Sequence, residues 1–181
     1  MRKLTSFMGW LLCLAIVAGC GSDQVESAEY GKELNHTSMV ITSDGLKWDV
    51  DKTAPSFEDT LKQMPFEVKQ IKLPFPPTHQ AASVIKAPFD MIQLTYADLL
   101  YGQQIILVES NSQDDSEPKG KPGPKLQNGT PTWIQSDSQT SALYWKADGY
   151  TYLLMSNKVK NGHFVPLFTP KELAVIASSM K

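Results

Sequence analysis

Cys20 is the residue of this 181-residue chain whose setting points most directly to chemistry. Its thiol follows Val17-Ala18-Gly19, residues slim enough at the last two positions for a peptidase to grip the backbone beside it. Upstream lie Arg2 and Lys3, then an apolar run from Phe7 to Ala18. That run falls short of the ~20 apolar residues that a bilayer-crossing helix needs. A basic flank, a short apolar stretch and a small-residue end are the make-up of a cleaved secretory leader. The reaction expected is thioether formation, with a diacylglyceryl group on the Cys20 sulfur and cleavage between Gly19 and Cys20. One acyl chain holds only marginally, at ~0.8 kcal/mol per buried CH₂, whereas two hold stably. The predicted partner is therefore the membrane, reached through lipid on Cys20 at the extracytoplasmic face.

Cleavage would remove Cys13 and leave no second thiol for a disulfide. Extracytoplasmic proteins are allowed disulfides but do not need them when the core is large. The chain has 17 basic and 19 acidic side chains. Loss of Arg2 and Lys3 leaves 15 against 19, a formal charge of −4. Acidity of that size argues against nucleic acid as a partner and against a polybasic grip on anionic lipid.

Other reactive groups are sparse. His36, His79 and His163 are far apart, and neither a His-x₃-His nor a Cys-x₂-Cys spacing occurs, so no structural metal site is expected. Asp114, Asp115 and Glu117 cluster without the spacing of a calcium loop. There is no Gly-x-Ser-x-Gly elbow, Ser-x-x-Lys set or phosphate-cradling glycine loop. No catalytic residue and no cofactor is expected. Asn35-His36-Thr37 and Asn128-Gly129-Thr130 read as chance matches to a glycosylation acceptor. The aromatic residues are the richer group. Most should pack in a core or pair across strands, but Tyr96, Trp133, Trp145 and Tyr152 are candidates for a concave surface that holds an apolar ligand or peptide.

These groups need a scaffold. Residues 20–38 are polar and read as a tether from the lipidated cysteine. Residues 39–181 are long enough for one domain with its own core. Met39–Thr42 and Leu46–Val50 flank Ser43-Asp44-Gly45, a hairpin signal. Ser56 with Asp59 predicts a capped helix bearing Phe57, Leu61 and Met64 on one stripe, ended by Pro65. Phe66, Val68, Ile71 and Leu73 predict a bulged strand, followed by a proline-rich extended crossing. Strands are expected at Ile92–Tyr96 and Gln103–Glu109, the second apolar on both faces and so central in a sheet. Residues 111–127 read as a mobile polar loop. Strands at Thr132–Ile134, Leu143–Trp145 and Tyr150–Met155 follow, the last two joined by Ala147-Asp148-Gly149. Thr169, Pro170 and Glu172 then open a helix carrying Leu173, Ile176, Ala177 and Met180. The fold class expected is α+β: a curved, mainly antiparallel sheet of about five to seven strands with two helices packed on one face.

Leu143-Tyr144-Trp145, Tyr150-Thr151-Tyr152-Leu153 and the closing helix to Ile176-Ala177-Ser178-Ser179 carry a resemblance, together with Ile92–Tyr96 and Gln104–Ser110. Over roughly residues 55–181 the chain resembles an uncharacterised extracytoplasmic domain of bacterial lipoproteins, sporulation-associated proteins and single-span anti-sigma-like regulators. The resemblance implies a half-barrel sheet like that of lipoprotein carriers, and it implies no catalytic residue. Three readings follow. The first is a non-enzymatic envelope lipoprotein that binds or senses something outside the membrane, such as an envelope protein or apolar ligand. The second is a carrier or chaperone for lipid-like or unfolded-protein ligands on the concave sheet face, favoured by a cavity lined by residues such as Leu94, Tyr96, Leu107 and Trp145. The third is an enzyme with a site assembled only in space.

Overall fold

The computed structural model describes residues 37–42, 45–50, 53–86, 88–112, 116 and 118–181. The leader, Val17 to Cys20, and the carboxylates Asp114, Asp115 and Glu117 lie outside the described residues. The chain is α+β and wholly antiparallel in its strand pairs. A two-stranded sheet pairs β1 (Thr37–Thr42) with β2 (Gly45–Val50). The short helix α1 (Phe57–Leu61) follows. The main sheet then takes β3 (His79–Lys86), β4 (Asp90–Asp98), β5 (Gln103–Ser110), β6 (Lys121–Pro122), β7 (Thr132–Ile134), β8 (Ser141–Ala147), β9 (Tyr150–Lys160) and β10 (His163–Pro166). Helix α2 (Pro170–Ala177) closes the chain.

The spatial order in the main sheet is β3-β4-β5-β9-β8-β7-β6. β9 is long enough to hold β5 along one edge and two strands end to end along the other. Ser156 still faces Ser141 of β8, and the next residue, Asn157, faces Pro166 of β10. Two positive-φ pairs turn this strand at its ends, Asp148-Gly149 before it and Asn161-Gly162 after it. Asn and Gly tolerate that backbone region where most side chains do not.

Strand parity decides the core, because successive side chains point to opposite faces. Leu94, Leu107, Leu154 and Leu143 form one row in register across four neighbouring strands, and all four are fully buried. Beside it runs Ile92, Glu109, Tyr152 and Trp145, also buried. The same cluster includes Leu173, Ala174, Ile176 and Ala177 of α2, with Phe57 and Leu61 of α1 packed against it. α2 is set by the expected cap: Glu172 N–H donates to Thr169 Oγ1 at 3.3 Å, and Thr169 N–H donates to Glu172 Oε2 at 2.8 Å.

Several expectations need correction. The main sheet has eight strands and a second sheet has two. β1 begins at Thr37, inside the span expected to be tether. α1 is only five residues long. At its start the expected Ser56 cap is present, Asp59 N–H donating to Ser56 Oγ at 3.1 Å, and Ser56 Oγ in turn donates to Asp59 Oδ2 at 2.7 Å. Residues 66–73 form no strand. They cross as an extended strap whose Ile71 is buried and whose Phe66, Val68 and Leu73 are half-buried. Pro65, Pro74, Pro76 and Pro77 deny the flanks ladder donors, and the strap is tied instead to the chain's end. Gln70 and Lys181 exchange backbone bonds of 3.1 Å, and Lys72 N–H donates to Ser179 Oγ at 2.9 Å. The second half of the expected loop is also held: Gly123 N–H donates to Thr132 O at 2.8 Å, and Leu126 is buried.

Candidate functional site

The four aromatic candidates do not share one surface. Tyr96, Trp145 and Tyr152 occupy inward positions and are buried, whereas Trp133 is half-buried on the other face, opposite Tyr144. The correction follows from parity. Trp145 stands opposite the inward-facing Thr132, one residue before Trp133. The Trp145 and Tyr152 rings stack at 5.1 Å with planes 11° apart, and the Tyr96 ring lies 5.9 Å from Phe57. The Tyr96 hydroxyl and Trp145 Nε1 are buried with no hydrogen-bond partner among the described residues. Burial, then the nearby charge of Glu58, pushes the Tyr96 phenol up to about 12. All three side chains belong to the buried hydrophobic cluster.

The outward face carries its own row. Trp133, Tyr144, Leu153 and Val108 follow one another in register from β7 to β5, each half-buried. Trp133 and Tyr144 meet edge to face at 6.4 Å. Beyond Tyr144 on the same strand face, Lys146 Nζ donates to Ser116 O at 2.8 Å.

Glu109 is the titratable residue that pattern reading missed. It sits among inward-facing side chains at 1% exposure, between Ile92 and Tyr152 on the neighbouring strands. Lys69 N–H, from the strap, donates to Glu109 Oε2 at 2.9 Å, and the Tyr152 hydroxyl donates to the same carboxylate. Burial raises its pKa from the ordinary 4.5 to about 7, against the pull of the Lys69 N–H, the Lys69 charge and Tyr152, and with a small push from Glu67. Burial and the Glu109 charge likewise raise the Tyr152 phenol. The only sequence signal was an acid at an inward position of an otherwise apolar strand. The carboxylate pins strap to sheet through the Lys69 N–H.

A shallow open groove of about 190 Å³ runs between residues 124–127 and α2, lined by Pro124, Lys125, Gln127, Lys171, Val175 and Ser178 among others. Among the described residues, no three His, Cys, Asp or Glu side chains gather where a metal ion could sit. No family model, no curated protein and no solved structure matches the chain.

Proposed function

We propose that the protein is a lipid-anchored accessory domain on the extracytoplasmic face of a bacterial membrane, binding or sensing rather than catalysing. The observation that carries this reading is Val17-Ala18-Gly19-Cys20 at the end of a short apolar run behind Arg2 and Lys3. The resemblance over residues 55–181 supports the same class of envelope protein. So does the broad architecture, an antiparallel sheet with Phe57 of α1 and Leu173 of α2 in contact with one hydrophobic cluster. Partner contact would fall on the outward row of Trp133, Tyr144 and Leu153, because the inward aromatics cannot be reached. The carrier reading draws less on these observations, since Leu94, Tyr96, Leu107 and Trp145 are buried members of one hydrophobic cluster.

Intact-mass measurement of the membrane fraction tests the anchor. The expected mature chain begins at Cys20 and carries a diacylglyceryl mass, and Cys20→Ala accumulates unprocessed and unlipidated. A mature chain with an unmodified Cys20 overturns the reading.

A further inference from the structure

The two hairpin turns that bound β9 share a shape and differ in chemistry. Asp148-Gly149 has φ of 54° and 80°, and Asn161-Gly162 has 54° and 73°. Each pair lies between paired residues, Ala147 with Tyr150 and Lys160 with His163. Both are therefore two-residue loops of type I′. The first sets a carboxylate before its glycine, the second a carboxamide. An ionised carboxylate repels an attacking nitrogen, whereas a neutral carboxamide does not.

Asn161 also stands apart from the other asparagines described. Asn111 Oδ1 accepts Asp90 N–H at 2.9 Å, and the Asn157 amide links Gln104 to Thr140. Asn128 precedes a glycine too, but its Oδ1 accepts Thr130 N–H at 3.0 Å and the Gly129 N–H donates to Leu126 O at 2.9 Å. Asn161 is exposed, and neither its side-chain amide nor the Gly162 N–H has a hydrogen-bond partner among the described residues. A Cβ built on Gly162 would meet nothing within 4 Å, so a ring has room to form there. The strand beyond the turn, β10, has only four residues and pairs with β9 alone. Short elements at the margin of a sheet open locally at little cost, which frees Asn161 to leave its left-handed conformation for the attack.

We propose that Asn161 is a site of spontaneous deamidation, with the Gly162 backbone nitrogen as nucleophile. The nitrogen gives its proton to solvent base and bonds to Asn161 Cγ; the Cγ–Nδ2 bond breaks, and ammonia leaves with a proton taken from water. Water then opens the five-membered succinimide. Attack at Cγ yields aspartate, and attack at the main-chain carbonyl yields isoaspartate. One water is consumed for each ammonia released, and no oxidant is needed. Isoaspartate adds a main-chain carbon to a two-residue loop. The register of His163 on Lys160 and Phe164 on Val159 is fixed by that loop, so β10 comes away from β9 in the isoaspartyl form. The inference goes beyond the lipid-anchor reading and is independent of it.

The test holds the full chain for weeks in mildly alkaline buffer made with heavy-oxygen water. It is then digested in ordinary water, and the peptides are fragmented by a method that separates isoaspartate from aspartate. Heavy oxygen should enter at residue 161 as both isomers. It should do so at least about tenfold faster than at Asn128, whose amide and following N–H are held by two hydrogen bonds. Asp148 should isomerise more slowly than either asparagine reacts. In concentrated urea, where the turns are gone, positions 161 and 128 should react at similar rates. The isoaspartyl fraction, isolated by ion exchange, should show faster amide exchange over residues 163–166 and unchanged exchange in β4 and β5. No label at 161, equal rates at 161 and 128 in the folded chain, or a difference that survives in urea overturns the proposal. Aspartate without isoaspartate overturns the ring route, and unaltered exchange over 163–166 overturns the release of β10.

Discussion

Alternate residues of the same four strands build two different surfaces. Leu94, Leu107, Leu154 and Leu143 cross β4, β5, β9 and β8 without touching solvent. One residue away in each strand, Gln93, Val108, Leu153 and Tyr144 cross the same strands and stay partly wet. Both rows are largely apolar, so hydrophobicity does not separate them. Cover does: α2, α1 and the strap pack against the first row's cluster. A row of large apolar side chains is thus a core or a contact surface according to what the remaining chain lays over it.

The largest effect should come from cutting into the covered row. Leu154→Ala is expected to lose about 2–5 kcal/mol, because it removes a buried side chain and leaves a cavity. Its neighbour Leu153→Ala should lose less than about 1.5 kcal/mol, the burial there being partial. Urea unfolding of the two variants under one set of conditions measures both, and equal losses would erase the distinction between the faces.

Glu109 sharpens the comparison through pH. Between 4.5 and about 7 the folded chain holds a proton that the unfolded chain has released. Folding there takes up a proton, so this group's stabilisation is intact below pH 4.5 and is lost as pH rises through about 7. The loss is on the order of 3 kcal/mol by that shift. Glu109→Gln keeps an acceptor for the Lys69 N–H without the charge. It should flatten the decline, making the variant the more stable form at pH 8. Thermal melts from pH 4 to 8 read this directly, and a wild-type curve with no decline over that range would remove the carboxylate from the account.

Smaller effects come from the cover and the outward row. Thr169→Ala removes the hydroxyl that accepts from Glu172 N–H and leaves the backbone N–H of position 169 to donate to Glu172 Oε2, and it should cost about 1 kcal/mol. Trp133→Ala gives up an edge-to-face ring pair, about 0.5–1.5 kcal/mol beyond its buried area at most. The proposed partner role predicts that Trp133→Ala lowers in-cell cross-linking yield from this face far more than it lowers the melting temperature.

Much of the covered face was legible. Ile92, Leu94 and Tyr96 alternate cleanly, Ile105 to Val108 announce a central strand, and Thr169-Pro170-Lys171-Glu172 marks the start of α2 without ambiguity. β3 was harder to see, since Ala81, Ala82 and Ser83 are too small to show a period, although the same smallness lets α1 pack near that strand. β10 was signalled by Asn161-Gly162, a hairpin pair as strong as Asp148-Gly149, and its brief length hid the alternation. The strap shows where pattern reading fails in principle. Phe66, Val68, Ile71 and Leu73 carry the spacing of a strand, but only neighbouring backbone, not hydrophobic period, makes a ladder. For the candidate site, residue type picked out the aromatics and parity decided among them. Glu109 needed the third dimension, because an acid's burial depends on what lies across from it.

The double occupancy of β9 has a consequence for how the molecule comes together. Until residues 150–160 exist, β5 has one neighbour and an open flank, β8 has only the three-residue β7 beside it, and β10 has no template at all. The early strands therefore wait on a late one, and completion should be abrupt and slow, as for sheets joined by distant pairings. A chain that must stay threadable until nearly all of it has emerged would benefit from that delay.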